Sequence, residues 1–538
     1  MNSLKKKVLA ASLTAAISIP SLASAAVPPQ ESLVSLRTLG EQAGATVTWD
    51  QQTRTATVTL DGTIITVAQN SDYITVNGEK VPLPQKSQII EDRLMVPPSV
   101  LHERLTNKKE QPKEENKNEK AATAFIESMQ KGQFDKAVDT FSADLLKVMD
   151  AERMKKYWSA LPEQLNAGPL KEIGTAKKQS ENAVHITVEV PLVFEKATVP
   201  FTIKLDKQGK INDFLLSLMP PAQQVAEEPT YSKNDAYTEK EVIVGDGAFA
   251  LSGTLTMPKG EGPFPAIVLV QGSGSLDQDE TTFALKPFRD LAHGLASQNI
   301  AVLRYNKRTF EHTAKTMFDP RHTVDKETTD DALHAVDLLA NTKGIDTNRI
   351  YVLGHSQGGM MLPRILDKGA DKPIAGGISM AGPAHTLPDI MLDQFDYLAS
   401  LGQLPKDQLE TLKKQIELLK DPNFSGENPP KEFDMGQPAF WDSIRNIEAA
   451  KMAKDQIKPL LILQGERDYQ VKADTEYTTW KEELVKRDNV TYKLYPKLNH
   501  FFTEGEGKIS KPEEYMTPAN VPAYVINDIA AWINTTKK

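Results

Sequence analysis

Cysteine is missing from all 538 residues. Its absence excludes disulfides, thiolate metal sites, iron–sulfur ligation and cysteine nucleophiles together, so covalent catalysis would have to use another side chain. Histidine is scarce, with nine copies, and any role that needs an imidazole has few candidates. Basic charge falls short of acidic charge: Lys+Arg 63 against Asp+Glu 72 leaves a net −9, which supplies no basic footprint for nucleic acid or anionic lipid. Long apolar runs are also lacking, apart from one near the start. There Lys5, Lys6 and Lys7 precede an apolar stretch over residues 8–22 and a small-residue Ala23-Ser24-Ala25 ending. That is the layout of a secretory signal, and it is short of the roughly 20 residues a membrane-spanning helix needs. Residues 1–26 are therefore expected to be a signal peptide, and the protein to be secreted, extracellular or associated with the cell envelope.

What is present suits a soluble, multidomain chain. The composition is 40% hydrophobic and 25% charged, enough apolar surface for packed cores, and the length suggests three or four domains at roughly 100–200 residues each. Two polar stretches divide it. Residues 106–120 are almost entirely Lys, Glu, Asn and Gln and read as a charged, solvated linker. Residues 219–236 hold Pro220, Pro221 and Pro229 and read as a semi-extended Pro-rich linker.

The first segment, 27–105, alternates apolar and polar residues through Thr55-Ala56-Thr57-Val58-Thr59-Leu60, with turn signals at Asp61-Gly62 and Asn77-Gly78, and predicts short strands and hairpins. Its run LRTLGEQAGATVTWDQQTRTATVTL, followed by ITVNGEKV and RLMVPPSVL, resembles the copper amine oxidase N-terminal-like domain. The segment holds a single histidine, His102, so no copper site is expected and a non-catalytic envelope or interaction module is. The second segment, 121–218, opens with helical spacing at Phe125, Met129, Phe134 and Val138 and turns to strands after Ala183, an α+β pattern. Beginning AFIESMQKGQFDKAVDTF, it resembles the NTF2-like domain of unknown function DUF3887. Its aromatics are expected to be core, with no chemistry of their own.

The third segment, 237–538, alternates continuous apolar runs, such as Ala266-Ile267-Val268-Leu269-Val270 and Pro459-Leu460-Leu461-Ile462-Leu463, with helical patterns, which implies a doubly wound, mostly parallel sheet. The strand at Ile350-Tyr351-Val352-Leu353 leads directly into Gly354-His355-Ser356-Gln357-Gly358. This is G-x-S-x-G in its strand–turn–helix context, with Ser356 held up as a nucleophile. A serine hydroxyl needs a base, which in this arrangement follows the acid near the end of the chain. After His385 the sequence offers only His500. The acid should follow the strand at Leu460, where Asp468 is favoured and Glu466 is the rival. For the oxyanion hole, the amide of Gln357 follows the nucleophile, and the amide of Ser273 lies in the Gly/Ser turn after Val270.

The blocks GSGSLDQDE, GHSQGG, QGERDYQV and LNHFF resemble, in order, those of exported bacterial esterases of the α/β-hydrolase superfamily. The resemblance implies Ser356 as nucleophile, Asp468 as acid, His500 as base, and Ser273 with Gln357 as oxyanion hole. Gln271 stands where relatives often carry histidine, which leaves the side-chain support of that loop open. Nearly eighty residues separate the strands ending near Met380 and beginning near Leu460, and a helical cap at about 385–457 is expected there. Its Phe395, Tyr397, Phe440 and Trp441 are candidates for substrate binding. The expected activity is that of a carboxylesterase-type serine hydrolase acting on a small-molecule ester, with no cofactor and no metal. Two alternatives stand beside it. One is a peptidase or aminopeptidase of the same superfamily, for which the cap residues Asp389, Asp393 and Asp396 would receive an amino group. The other is a non-catalytic cell-envelope binding protein.

Overall fold

The structure is a computed structural model and describes residues 34–536, apart from 43–44, 61, 84–85, 91–92, 98–115 and 217–224. The signal-like residues, His102 and most of the charged linker lie outside that set. The described residues fall into two compact units, divided between Asn116 and Lys117.

The N-terminal unit is a five-stranded antiparallel meander with a separate three-stranded sheet. Alternation along Thr55–Leu60 and Thr63–Ala68 turns Val58, Ile65 and Val67 inward. Asn77 and Gly78 close one hairpin with φ of 50° and 91°, the two positive values a tight two-residue turn requires.

In the larger unit, residues 117–216 place helices Lys117–Gln130 and Ala151–Gln164 beside an antiparallel sheet that includes Ile186–Phe194, Thr198–Leu205 and Ile211–Leu216. Phe125, Phe141, Phe201 and Phe214 are buried together, the core role the sequence suggests. The first helix starts at Lys117, inside the stretch expected to be linker, because Ala122, Phe125 and Ile126 bury one face and Glu119 in its first turn accepts the Lys178 N–H.

The remaining residues build an eight-stranded sheet: β1 (Tyr237–Val244), β2 (Leu251–Pro258), β3 (Phe264–Val270), β4 (Ala301–Tyr305), β5 (Ile345–His355), β6 (Ile374–Met380), β7 (Leu460–Gly465) and β8 (Val490–Tyr495). The strand order is β1-β2-β4-β3-β5-β6-β7-β8, and only β2 runs antiparallel to its neighbours. Helices α1 (Pro287–Ala296), α2 (Asp331–Ala340), α3 (Gln357–Lys368), α4 (Leu387–Ser400) and α5 (Lys406–Lys420) belong to the same segment. Each face of the sheet carries its own buried apolar cluster, one around Val268, Val352 and Ile462 and the other around Ile267, Leu353 and Leu463. This is the expected α/β-hydrolase architecture, with α4 and α5 in the interval between β6 and β7.

The boundary before this segment differs from the expectation. Ala226 N–H donates to the Ala284 carbonyl, Arg289 holds the carbonyls of Ala226 and Glu227, and Tyr231 Oη donates to the Val521 carbonyl at 2.6 Å. Residues 225–236 are thus a docked strap, because one aromatic and a few carbonyls find partners that composition does not reveal. The second segment also packs against the third. Lys204 Nζ donates to the Phe310 and Glu311 carbonyls, Asp213 accepts the amides of Ala314 and Lys315, and His185 Nδ1 meets Glu311 Oε1 at 2.6 Å. Burial opposes the charge on Glu311, but His185 and Lys204 hold its carboxyl down at about 2.

Candidate active site

Strand β5 ends at His355 and α3 begins at Gln357, leaving Ser356 alone in the turn with φ 50° and ψ −117°. A non-glycine residue pays strain for that conformation, and such strain persists only where the surroundings fix it. Here they do: a Cβ on Gly354 would strike the Gly358 carbonyl, and one on Gly358 would strike the Val270 carbonyl. The two glycines of the motif therefore let strand, turn and helix close on one another, and Ser356 is lifted into a cavity above the sheet.

The same cavity is lined by His500, Gln357, Gly272 and Ser273. His500 Nδ1 lies 2.8 Å from Asp468 Oδ2, and both residues are 2% exposed, so the pair is shielded and its charge-assisted hydrogen bond is short. The other Asp468 oxygen accepts the backbone N–H groups of Gln470 and Val471 at 2.7 and 3.0 Å, while Gln464 Nε2 donates to Oδ2. Every lobe of the carboxylate thus has an assigned donor. Glu466, by contrast, is exposed, and its side chain is no part of the cavity. No hydrogen bond joins the Ser356 hydroxyl to His500 among the described residues. The two share one wall, and such contacts commonly tighten only when a substrate is bound.

The loop over residues 271–274 is held on several sides. Gln271 Nε2 donates to the Tyr305 carbonyl, which answers how glutamine supports this loop where relatives often use histidine. Gly272 N–H donates to Glu280 Oε1 at 2.7 Å, and the Gly272 carbonyl accepts from Lys307 Nζ at 2.6 Å. Gln357 is the first residue of α3, where an N–H has no intrahelical acceptor. Ser273 and Gln357, from separate elements, thus line the same cavity as Ser356.

Sequence reasoning passed over two neighbours. His355 is buried, with Nδ1 3.0 Å from Glu280 Oε1 and Nε2 3.0 Å from the His500 carbonyl. Both partners are acceptors, an arrangement that favours the doubly protonated ring. Burial opposes its charge, but the Glu280 carboxylate and the His500 carbonyl outweigh it and raise its pKa above the ordinary imidazole value. His355 lies inside GHSQGG and Glu280 closes GSGSLDQDE, so both were in view as motif letters without a role.

The cap departs from expectation at each named candidate. Tyr397 Oη donates to the Ser510 carbonyl and its ring stacks on Tyr469; Trp441 Nε1 donates to the Met435 carbonyl; Phe440 stacks on His322. Phe440, Trp441 and Phe395 are buried in the apolar core, and none of the four lines the cavity. Leu387, Ile390 and Gln394 of α4 do, with Pro383, Val471 and Phe501. The cap acids do not converge either: Asp389, Asp393 and Asp396 pair separately with Lys420, Lys472 and Lys413. The one carboxylate in the cavity lining, Glu280, is tied through Oε1 to Gly272 and His355. Among the described residues no group of His, Asp or Glu has the arrangement of a metal site.

Three family models match successive parts of the chain. Residues 19–118 match the copper amine oxidase N-terminal domain, 122–214 match the protein of unknown function DUF3887, and 288–387 match the prolyl oligopeptidase family. The esterase EstD of Thermotoga maritima is 37% identical over 418 residues, which span 77% of this chain and 94% of that protein. Among solved structures, a Pyrococcus furiosus esterase is 16% identical, covering 60% of this chain and 99% of its own, with a TM-score of 0.36. A Pyrococcus horikoshii acylaminoacyl peptidase is 15% identical, covering 68% of this chain and 56% of its own, with a TM-score of 0.39.

Proposed function

The chain belongs to the α/β-hydrolase family that includes the Thermotoga maritima esterase, and from that premise we propose that this serine hydrolase cleaves carboxylic esters through an acyl-enzyme on Ser356. The observation that carries the reading is His500, backed by the buried Asp468 carboxylate, on the same cavity as Ser356, Ser273 and Gln357. In the forward half, Ser356 Oγ attacks the ester carbonyl carbon as His500 Nε2 takes its proton, and Asp468 stabilises the resulting imidazolium through Nδ1. The two amides hold the developing oxyanion. Collapse breaks the C–O bond, and His500 returns the proton to the departing alcohol. In the second half His500 deprotonates water, which attacks the acyl-enzyme; as the C–O bond to Ser356 breaks, His500 returns that proton to Ser356 Oγ and the acid leaves.

An ester fits better than a peptide with a free amino group, because the cap acids are each paired with lysine. Hydrolysis of p-nitrophenyl acetate beside aminoacyl p-nitroanilides, in the native protein and in Ser356→Ala, tests both points. Ester turnover that vanishes in the variant supports the reading, and faster anilide cleavage would move the protein to the peptidases. Residues 1–26 would act as a cleaved export signal and the N-terminal unit as an envelope contact; the N-terminal mass of protein recovered outside the cell checks the first of these.

A further inference from the structure

Lys307 is an unusual place for a charge. It lies just beyond β4, is 2% exposed, and does not itself line the reacting cavity. Burial of an ammonium costs several kcal/mol unless it is paired and hydrogen-bonded. Its partners are Glu327 Oε1 at 2.9 Å and the Gly272 carbonyl at 2.6 Å. The ammonium has three N–H donors, and the pair with Glu327 uses one of them. The second bond goes to one backbone oxygen in the loop that carries a proposed oxyanion donor.

We propose that Lys307 is a positioning residue that sets the Ser273 N–H for the transition state, by holding the Gly272 carbonyl on the far side of their shared peptide plane. The geometry follows from the planar trans peptide, in which the carbonyl of one residue and the N–H of the next point in opposite directions. Fixing the carbonyl toward Lys307 turns the Ser273 N–H away from it, on the side where Ser273 and Ser356 line the cavity. On the preceding peptide, Gly272 N–H is fixed to Glu280, so the loop cannot answer the loss of one anchor by rotating as a unit around the other. The cation also polarises the peptide it binds, which strengthens the opposite N–H as a donor.

This inference rests on the acyl-enzyme reading above. Removing an oxyanion donor outright costs about 10²–10³ in kcat; Lys307→Met leaves the amide present but free to turn, so a loss of roughly 10- to 100-fold in kcat is expected with little change in KM. Binding of a trifluoromethyl ketone, whose adduct with a serine carries the oxyanion, should weaken by the same factor. Lys307→Arg, which keeps a cationic donor, should restore most of both. If Lys307→Met does not fold, Lys307→Met with Glu327→Leu removes the bond without stranding a buried carboxylate and carries the same test. A folded variant with unchanged kcat and ketone affinity overturns the proposal, as does a rise in KM alone. Ser356→Ala separates the two layers: inactive Ser356→Ala beside fully active Lys307→Met refutes only the role of Lys307, whereas active Ser356→Ala refutes the reading beneath it.

Discussion

Replacing Asp468 with asparagine changes one atom, and the surroundings dictate how the new side chain must sit. Oδ1 accepts two backbone amides, from Gln470 and Val471, and the asparagine oxygen is the only atom of the new amide able to keep them. The NH2 group is then driven to the Oδ2 site, facing His500 Nδ1 and the Gln464 amide donor. To avoid a donor–donor contact, His500 must present a bare Nδ1 and carry its proton on Nε2, which is the nitrogen that has to accept from Ser356. The wrong tautomer is thereby built in, and a loss of about 10⁴ in kcat is expected, roughly 5 kcal/mol at 1.36 kcal/mol per decade. Glu466→Gln is the control. Its side chain is exposed, so activity should stay within about twofold. Steady-state hydrolysis of p-nitrophenyl acetate, with thermal melting to confirm folding, reads both. A folded Asp468→Asn within tenfold of the native rate, or a larger loss in Glu466→Gln, would refute the reasoning.

Three further outcomes follow from the same geometry. A chain beginning at Lys117 should keep native kcat/KM, whereas one beginning at Asn234 should aggregate or lose activity, because it exposes the surface around Phe318 and leaves Glu311 without His185 and Lys204; specific activity after gel filtration decides. His355 has its folded pKa raised above the unfolded value near 6.5, so its contribution to stability is complete below that pH and is lost as pH rises through the folded pKa; melting temperatures from pH 6 to 10 should fall less in His355→Gln than in the native chain. Ile390→Ala should shift acyl preference toward longer p-nitrophenyl esters, while Trp441→Ala should cost about 3–5 kcal/mol of stability with unchanged acyl preference in the folded protein.

The elbow was legible because Gly354 and Gly358 mark a steric requirement that few residue types satisfy, and His500 because so few histidines compete with it. Asp468 was legible from its place after a strand that reads as buried. The cap was not, since aromatic residues at helical spacing look the same whether they face a cavity or a core, and Phe440 and Trp441 face the core. Lys307, Glu280 and His355 acquire roles only when β4, β5 and the loop after β3 converge. Nothing in the local sequence of Lys307 distinguishes it from a solvated lysine. The strap at 225–236 was misread for a similar reason: Tyr231 looks like filler until Val521, far along the chain, supplies its acceptor.

The central claim is that Ser356 carries the acyl group. An activated serine attacks the phosphorus of a fluorophosphonate, expels fluoride and keeps a stable phosphonyl adduct, so intact mass followed by peptide mapping reads the nucleophile directly. One phosphonyl group per chain on the peptide containing Ser356, with activity lost in proportion to labelling and no adduct in Ser356→Ala, is the predicted result. Labelling at another residue, or full activity in a chain whose Ser356 is quantitatively modified, would contradict the account.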